Sequence, residues 1–223
     1  MENAMGTLIF CIILIVIGSY FMTIDTKYNG EWGMRRRIII DFDNTLMNTA
    51  KGIINCCRED NPDREIPEYG TKEVTWNFEN YNLPNDFGKY FQDKRTYKKE
   101  YLMDNCLEVL EELSKDYDLY VCTRCSYGMD MKKEFIEENF PMIKSIIFIC
   151  SDDFREKVMI SNNWGDYMID DKPECFHGSN RFNILFGDYE WNKDKNGSRI
   201  NVTCTDWLKV KEVIDKRKFM LEE

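Results

Sequence analysis

Arg37-Ile38-Ile39-Ile40 runs straight into Asp41-Phe42-Asp43-Asn44-Thr45. Three consecutive isoleucines with no polar alternation read as a buried strand. The polar residues that follow then sit at the strand's carboxyl end, which is where open α/β sheets bind ligands. Asp41 and Asp43 stand two apart in extended chain, so both side chains start on the same side. Two carboxylates in that position repel each other and call for a cation. Oxygen ligands of this kind suit Mg²⁺, which takes one or two carboxylates together with substrate phosphate and water. The plainer alternative is that Asp43 or Asn44 caps the helix that follows.

Downstream pieces tip the balance toward chemistry, because each follows its own apolar run. Asp118-Leu119-Tyr120-Val121-Cys122 leads into Thr123, and Tyr167-Met168-Ile169 leads into Asp170-Asp171-Lys172-Pro173. Lys157 lies in a polar stretch between them. Helical patterns alternate with these strands, near Asp104 to Leu113 and from Met129 to Phe140, and a last one spans Thr205 to Lys216. Further strands are expected at Ile143 to Cys150, Phe182 to Phe186 and Arg199 to Val202. Such alternation predicts an α/β fold with a parallel sheet covered on both faces.

In this order, Asp-x-Asp-x-Thr, strand-Thr, Lys and strand-Asp-Asp resemble the four-part signature of the haloacid dehalogenase-like (HAD) phosphatases over roughly Arg35 to Lys216. The resemblance implies a Rossmann-like HAD fold with strand order 5-4-1-2-3, bringing Asp41, Asp43, Thr123 and Asp170 to one sheet edge. It also implies roles. Asp41 is the nucleophile that forms an aspartyl phosphate, and Asp43 is the acid that then turns base. Thr123 donates to a phosphate oxygen, and Lys157 neutralises charge, with Lys144 and Arg155 as alternatives for that role. Mg²⁺ is held by Asp41, the backbone carbonyl of Asp43, and Asp170. Asp171 serves either the metal's water shell or the loop. Thr45 ties the loop, and Arg124 reaches either phosphate or a surface partner. Asn44 stands where many family members carry glycine, so a left-handed backbone is expected there, which Asn tolerates.

Between the first motif and Thr123 lies far more chain than the roughly 30 residues of a simple crossover. The excess, residues 60–103, is expected to be a small helical cap inserted after strand one, between core segments 34–59 and 104–223. It carries Tyr69, Trp76, Phe78, Tyr81, Phe87, Tyr90, Phe91, Tyr97 and Tyr101. Most of these rings are needed for the segment's own small core. Trp76 and Phe78 are the ones expected to face substrate, since a flat ring stacks a nucleobase with about 1–3 kcal/mol. Thr75-Trp76-Asn77-Phe78, the Asp-Asp-Lys-Pro run, Trp191 and Trp207 resemble the 5′(3′)-deoxyribonucleotidases within the superfamily. The resemblance implies a Mg²⁺-dependent phosphomonoesterase acting on (deoxy)nucleoside monophosphates. A sugar-phosphate phosphatase on the same scaffold and a non-catalytic phosphate-binding module are the other readings.

Composition narrows the partners. The chain has 223 residues and a net charge of −10, with 40 acidic against 30 basic residues. Apart from Arg35-Arg36-Arg37 and Lys216-Arg217-Lys218 no run of three basic residues occurs, which argues against a long nucleic acid, since binding polyphosphate needs clustered cations. A small phosphate ester fits. Nine scattered cysteines read as reduced thiols of a cytoplasmic protein. The Cys122-Thr123-Arg124-Cys125 spacing has no second cysteine pair, and the one histidine is His177.

Thr7 to Met22 is almost wholly apolar but shorter than the ~20 residues that span a bilayer. Two expectations stand for residues 1–33: a membrane anchor that leaves the enzyme on the cytoplasmic face, given the later Arg35-Arg36-Arg37, or a misplaced start ahead of Met34.

Overall fold

The computed structural model describes residues 35–125, 128–151 and 153–222. The apolar amino-terminal segment and its spacer lie outside the described residues. No helix among the described residues is long and apolar enough to cross a membrane.

Six parallel strands form one sheet: β1 (Arg36–Ile40), β2 (Tyr117–Arg124), β3 (Ile143–Ile149), β4 (Tyr167–Asp170), β5 (Phe182–Phe186) and β6 (Val202–Cys204). Their order is β3-β2-β1-β4-β5-β6. Read from the other edge, this is the expected 5-4-1-2-3 arrangement with β6 added beyond β5. The register pairs Ile40 with Val121 on one side and with Ile169 on the other. Motif-bearing ends therefore finish level, and the order reverses at β1, whose neighbours β2 and β4 lie on opposite sides.

β6 begins later than the Arg199–Val202 strand the sequence suggests. Side chains occupy the intervening positions: the Asn201 Oδ1 accepts from the Asn183 amide, and the Asn183 Nδ2 donates to the Arg199 carbonyl. The Asn201 amide also donates to the Asn183 carbonyl at 3.0 Å, and the regular strand register begins at Val202.

Helices cover both faces, as the unbroken apolar strands require. Ile38 and Ile40 face a core shared with α2 (Cys106–Leu113), α3 (Met129–Asn139) and α5 (Trp207–Glu222), through Leu110, Phe135, Trp207 and Ile214. Ile39 points the other way, to Cys122, Ile149 and Ile160. Ile160 belongs to α4 (Phe154–Trp164), a helix the sequence does not announce. Its apolar face is thin, but Asp153 caps it by accepting from the Arg155 amide. Gly165 ends α4 against the sheet, where a Cβ would come within 2.7 Å of the Ile39 side chain.

α1 (Thr49–Asp60) follows β1. From Asn61 to Met103 no α-helix forms, and the chain instead makes four 3-10 turns: Glu79–Tyr81, Phe87–Gln92, Lys94–Thr96 and Lys99–Tyr101. Ile66, Phe78, Tyr81 and Tyr90 from this segment pack with Ala50, Ile53, Ile54, Cys56 and Cys57 of α1 as a second apolar cluster. Gly52 permits the close approach, because a Cβ there would sit 2.3 Å from the Thr96 carbonyl.

Candidate active site

β1 delivers Asp41 to the sheet's carboxyl edge, and the Asp41 amide donates to the Ile169 carbonyl at 2.9 Å. This bond continues the β1–β4 ladder one residue past β1 and locks Asp41 beside Asp170. Both carboxylates are buried. Lys157, buried on α4, donates to Asp41 Oδ1 and to Asp170 Oδ2, each at 2.6 Å. Lys144 and Arg155 point elsewhere: Lys144 lies exposed 4.0 Å from Asp118, and Arg155 pairs with Asp153 on the surface. Only Lys157 of the three reaches the carboxylates.

Asp41, Asp170 and Asp171 each present an oxygen within 4.8 Å of the others. Burial, with Asp170 and Asp43 nearby and only Lys157 opposing, pushes the Asp41 carboxyl up to about 7. Burial followed by Asp41 and Asp170 holds Asp171 well above the usual carboxylate range. Burial works against the charge on Lys157, but Asp170 and Asp41 outweigh it and keep the ammonium well above its ordinary value. One lysine thus faces three buried carboxylates, a charge imbalance that a divalent cation would correct. An all-oxygen donor set with this excess of negative charge fits Mg²⁺.

Asp43 sits differently. Its carboxylate accepts from the Thr49 hydroxyl at 2.7 Å through Oδ1, and from Lys132 through Oδ2. The Thr123 hydroxyl lies 3.5 Å from the same Oδ2. The carboxylate therefore stands apart from the three-carboxylate group. Helix α1 is capped by Asn48, which accepts from the Lys51 amide at 3.0 Å, and Asn44 Oδ1 accepts from the first-turn Ala50 amide at 3.2 Å, whereas Asp43 takes no amide of the helix. That leaves the Asp43 carboxylate outside a capping role. Asn44 takes a left-handed φ of 55°, as its place in the motif predicts.

Above these groups opens a cavity of about 430 Å³. Asp41, Asp43, Lys157, Asp170 and Asp171 line its floor, and Trp76, Phe78, Phe87, Phe91 and Trp191 line its wall. Arg124 also lines it, half-buried. Trp76 is 45% exposed and meets Trp191 edge to face with centroids 5.8 Å apart. The Lys172 ammonium lies 3.4 Å above the Trp76 ring. Phe78 is nearly buried and packs on Phe87, so it serves the segment's own cluster as well as the wall.

Trp191 joins wall to floor. Its Nε1 donates to Asp171 Oδ2 at 2.9 Å, and its ring stacks on Tyr189 at 4.5 Å. The Tyr189 hydroxyl in turn donates to the Asn44 carbonyl at 2.7 Å. Asp171 therefore buttresses this loop while lying beside Asp41 and Asp170.

Two expected residues lie behind the cavity rather than on it. Thr123 is fully buried, with its hydroxyl among Asp43, Lys132 and the Arg124 carbonyl. Thr45 is also fully buried, and its Oγ1 has no hydrogen-bond partner. The loop is tied instead by the Thr45 carbonyl, which accepts from Trp207 Nε1 at 2.9 Å. A substrate-binding role for Thr45 does not fit that position, because the β1–α1 turn directs its side chain inward.

Lys132 is the residue that motif reading misses. It lies on α3 and is 1% exposed. A signal was present: Lys132 stands three and four residues before Phe135 and Ile136, on the buried face of the helix. A lysine on an apolar face needs a buried counter-charge. The Cys122 and Cys125 side chains of the Cys122-Thr123-Arg124-Cys125 run are both buried, and burial pushes the Cys122 thiol up to about 12.

A family model describing the "5' nucleotidase, deoxy (Pyrimidine), cytosolic type C protein" matches residues 35–219. The chain belongs to that family. It is a HAD-type phosphoric monoester hydrolase related to the 5′-nucleotidases. Comparison with curated proteins gives no match. Solved structures share the fold at low identity. YfnB of Bacillus subtilis, assigned to the HAD hydrolases and crystallised with magnesium, is 13% identical with a TM-score of 0.55, over 82% of this chain and 100% of that one. A Clostridium difficile protein assigned as a phosphatase is 17% identical with a TM-score of 0.57, over the same shares. The haloacid dehalogenase-like protein SP0104 of Streptococcus pneumoniae is 15% identical with a TM-score of 0.54, over 81% and 98%.

Proposed function

We propose that this phosphatase hydrolyses (deoxy)nucleoside monophosphates with Mg²⁺, through an aspartyl phosphate on Asp41. The observation that carries the reading is the pairing of two surfaces in one cavity. Buried Asp41, Asp170 and Asp171 lie around Lys157, beneath a wall on which Trp76 and Trp191 meet. A phosphate needs the floor, and a nucleobase needs the wall.

In this reading an Asp41 oxygen attacks phosphorus, the ester P–O bond breaks, and Asp43 gives its proton to the leaving oxygen. Asp43 then takes a proton from water as that water attacks the aspartyl phosphate. Inorganic phosphate leaves and the Asp41 carboxylate returns. Splitting the reaction this way replaces one difficult displacement with two easier ones, and one carboxyl serves both proton transfers. Lys157 offsets charge between Asp41 and the phosphoryl group. Asp41, the Asp43 carbonyl and Asp170 hold Mg²⁺, with Asp171 beside them. The metal, when bound, supplies electrostatic stabilisation of the phosphoryl oxygens. The Thr123 hydroxyl stands one hydrogen bond behind the cavity that Asp43 and Lys132 line, so its part in phosphate binding runs through those two side chains rather than by direct donation. Arg124 adds a second cation at the phosphate.

Residues 60–103 act as the cap, over core segments 34–59 and 104–223, with α1 lending the cap its apolar floor. The substrate is a small phosphate ester and not a long nucleic acid, in keeping with the net charge of −10. The cytoplasm is the proposed compartment, in keeping with the family's description and the free thiols.

A panel of nucleoside and deoxynucleoside monophosphates, sugar phosphates and p-nitrophenyl phosphate, read by phosphate release with and without Mg²⁺, tests the reading. Deoxynucleotides are expected to give the highest kcat/KM, and only with metal. A sugar phosphate outperforming every nucleotide would overturn the substrate assignment.

A further inference from the structure

α3 sends one cation into the site from a direction that the four motifs do not cover. Lys132 is 1% exposed, and its Nζ contacts Asp43 Oδ2, lies 3.4 Å from the Thr123 hydroxyl, and donates to the Arg124 carbonyl at 3.1 Å. The same ammonium lies 5.9 Å from the ring centroids of both Phe42 and Phe91, one from the core loop and one from the turn Phe87–Gln92. The start of α3 is pressed on that turn: a Cβ on Gly128 would sit inside contact distance of the Phe91 carbonyl. Lys132 therefore has its place fixed from both sides of the cavity.

This environment is costly for a lysine that only packs. Burying an ammonium is tolerated when it is paired and hydrogen-bonded, and among the described residues its hydrogen-bond partners are Asp43, Thr123 and Arg124. On its other oxygen, Asp43 is held by the Thr49 hydroxyl at 2.7 Å. Lys132 and Thr49 thus grip the two carboxylate oxygens from opposite sides and fix the carboxyl plane.

We propose that Lys132 is a positioning residue for the leaving-group step, orienting the Asp43 carboxyl, and with it the Thr123 hydroxyl, for proton transfer to the departing oxygen. The inference rests on the reading of Asp43 as acid and base. It forms no new bond and needs no further reactant. Asp43 still gives and takes the proton, and Lys132 determines where its oxygens stand. An ester with a poor leaving group needs that proton in the transition state, whereas an activated aryl ester needs it far less.

The experiment compares a deoxynucleoside monophosphate with p-nitrophenyl phosphate at saturating Mg²⁺, for Lys132→Met, Asp43→Asn and the double variant. Methionine keeps most of the stem between Phe42 and Phe91 and removes the charge. Lys132→Met should lower kcat on the nucleotide by about 100-fold and on the aryl ester by less than about tenfold. In the Asp43→Asn background, Lys132→Met should change the aryl-ester rate by no more than about twofold, because the two residues act as a unit. Equal losses on both substrates, or full additivity in the double variant, would overturn the proposal. If Lys132→Met alone fails to melt cooperatively, the comparison of Asp43→Asn with the double variant still decides, since the asparagine amide oxygen can still accept from Lys132 and the double variant carries neither charge. Two failures are distinguishable. If Asp43→Asn itself shows no leaving-group dependence, the reading of Asp43 falls. If Asp43→Asn shows it and Lys132→Met does not, only the role of Lys132 falls.

Discussion

The cavity's floor and its wall are made by opposite means. Asp41 stands one residue past β1, and Asp170 and Lys157 come from β4 and α4; backbone bonds fix each side chain within hydrogen-bond range of the next. Trp76, Phe78 and Phe91 come from loops and 3-10 turns, held by ring contacts and by the cluster they share with α1. The floor is rigid because parallel strands set its register. The wall is held by packing, where one side chain can be exchanged with less consequence. The chemistry that every substrate shares thus sits on strand ends, and the chemistry that distinguishes substrates sits on turns.

The largest expected effect falls on the floor. Asp41→Asn should lower kcat by about 10⁴-fold or more on every substrate alike, with phosphate release as the readout and thermal melting as the control for folding. Residual activity within tenfold of the parent would remove the nucleophile from the proposal and leave the floor a binding surface only.

Metal removal sharpens the same side. Burial, with Asp170 and Asp43, raises Asp41 from 3.8 to about 7 in the folded chain, and Asp171 moves in the same direction. A carboxyl raised on folding contributes stability that is fully present below its unfolded value and is lost as pH rises through the folded one. The Tm in EDTA should therefore fall between pH 5 and pH 8. Mg²⁺ should restore it at pH 8 and do little at pH 5, since binding must displace those protons. An EDTA melting curve flat across that range would mean the carboxylates are balanced without a cation.

Trp76→Ala strikes the wall. It should raise KM for deoxynucleotides by roughly 5- to 100-fold, the value of about 1–3 kcal/mol of stacking, with kcat for p-nitrophenyl phosphate nearly unchanged. A uniform loss across substrates would make Trp76 a support for the loop, through Trp191 and Lys172, rather than a platform.

Thr45→Val is the smallest change and belongs to neither surface. The Thr45 hydroxyl is buried without a hydrogen-bond partner, so an apolar isostere should leave Tm and kcat/KM unchanged or raise Tm slightly. Lost activity would show that the hydroxyl finds a partner once substrate binds.

What could be read in advance follows the same division. Asp41, Thr123 and Asp170 were legible because each ends an apolar run, and runs of that kind become neighbouring parallel strands whose ends finish together. Asn44's left-handed turn was legible from the one residue type that stands in for glycine there. α4 was not legible, since it presents so little apolar face, so the reading that put Lys157 ahead of Lys144 and Arg155 had no helix behind it; α4 is what aims Lys157 at the carboxylates. Lys132 left a signal, a charge at a core-facing helical position, but the signal names no partner. The 3-10 turns between Glu79 and Tyr101 carry no period at all, so their path depends on the aromatic cluster they close against.

By itself the sequence determined the parallel sheet, the ends of its central strands and the carboxylates on them, because strand burial and strand-end chemistry are local properties of a short run of residues. Tertiary structure alone decided that Lys157 stands between Asp41 and Asp170, that Lys132 grips Asp43, and that Trp191 ties Asp171 to Trp76. Those are contacts between side chains far apart in the chain. Whether two such groups meet depends on helix direction and rotation over the sheet, which the whole core sets and no local stretch encodes.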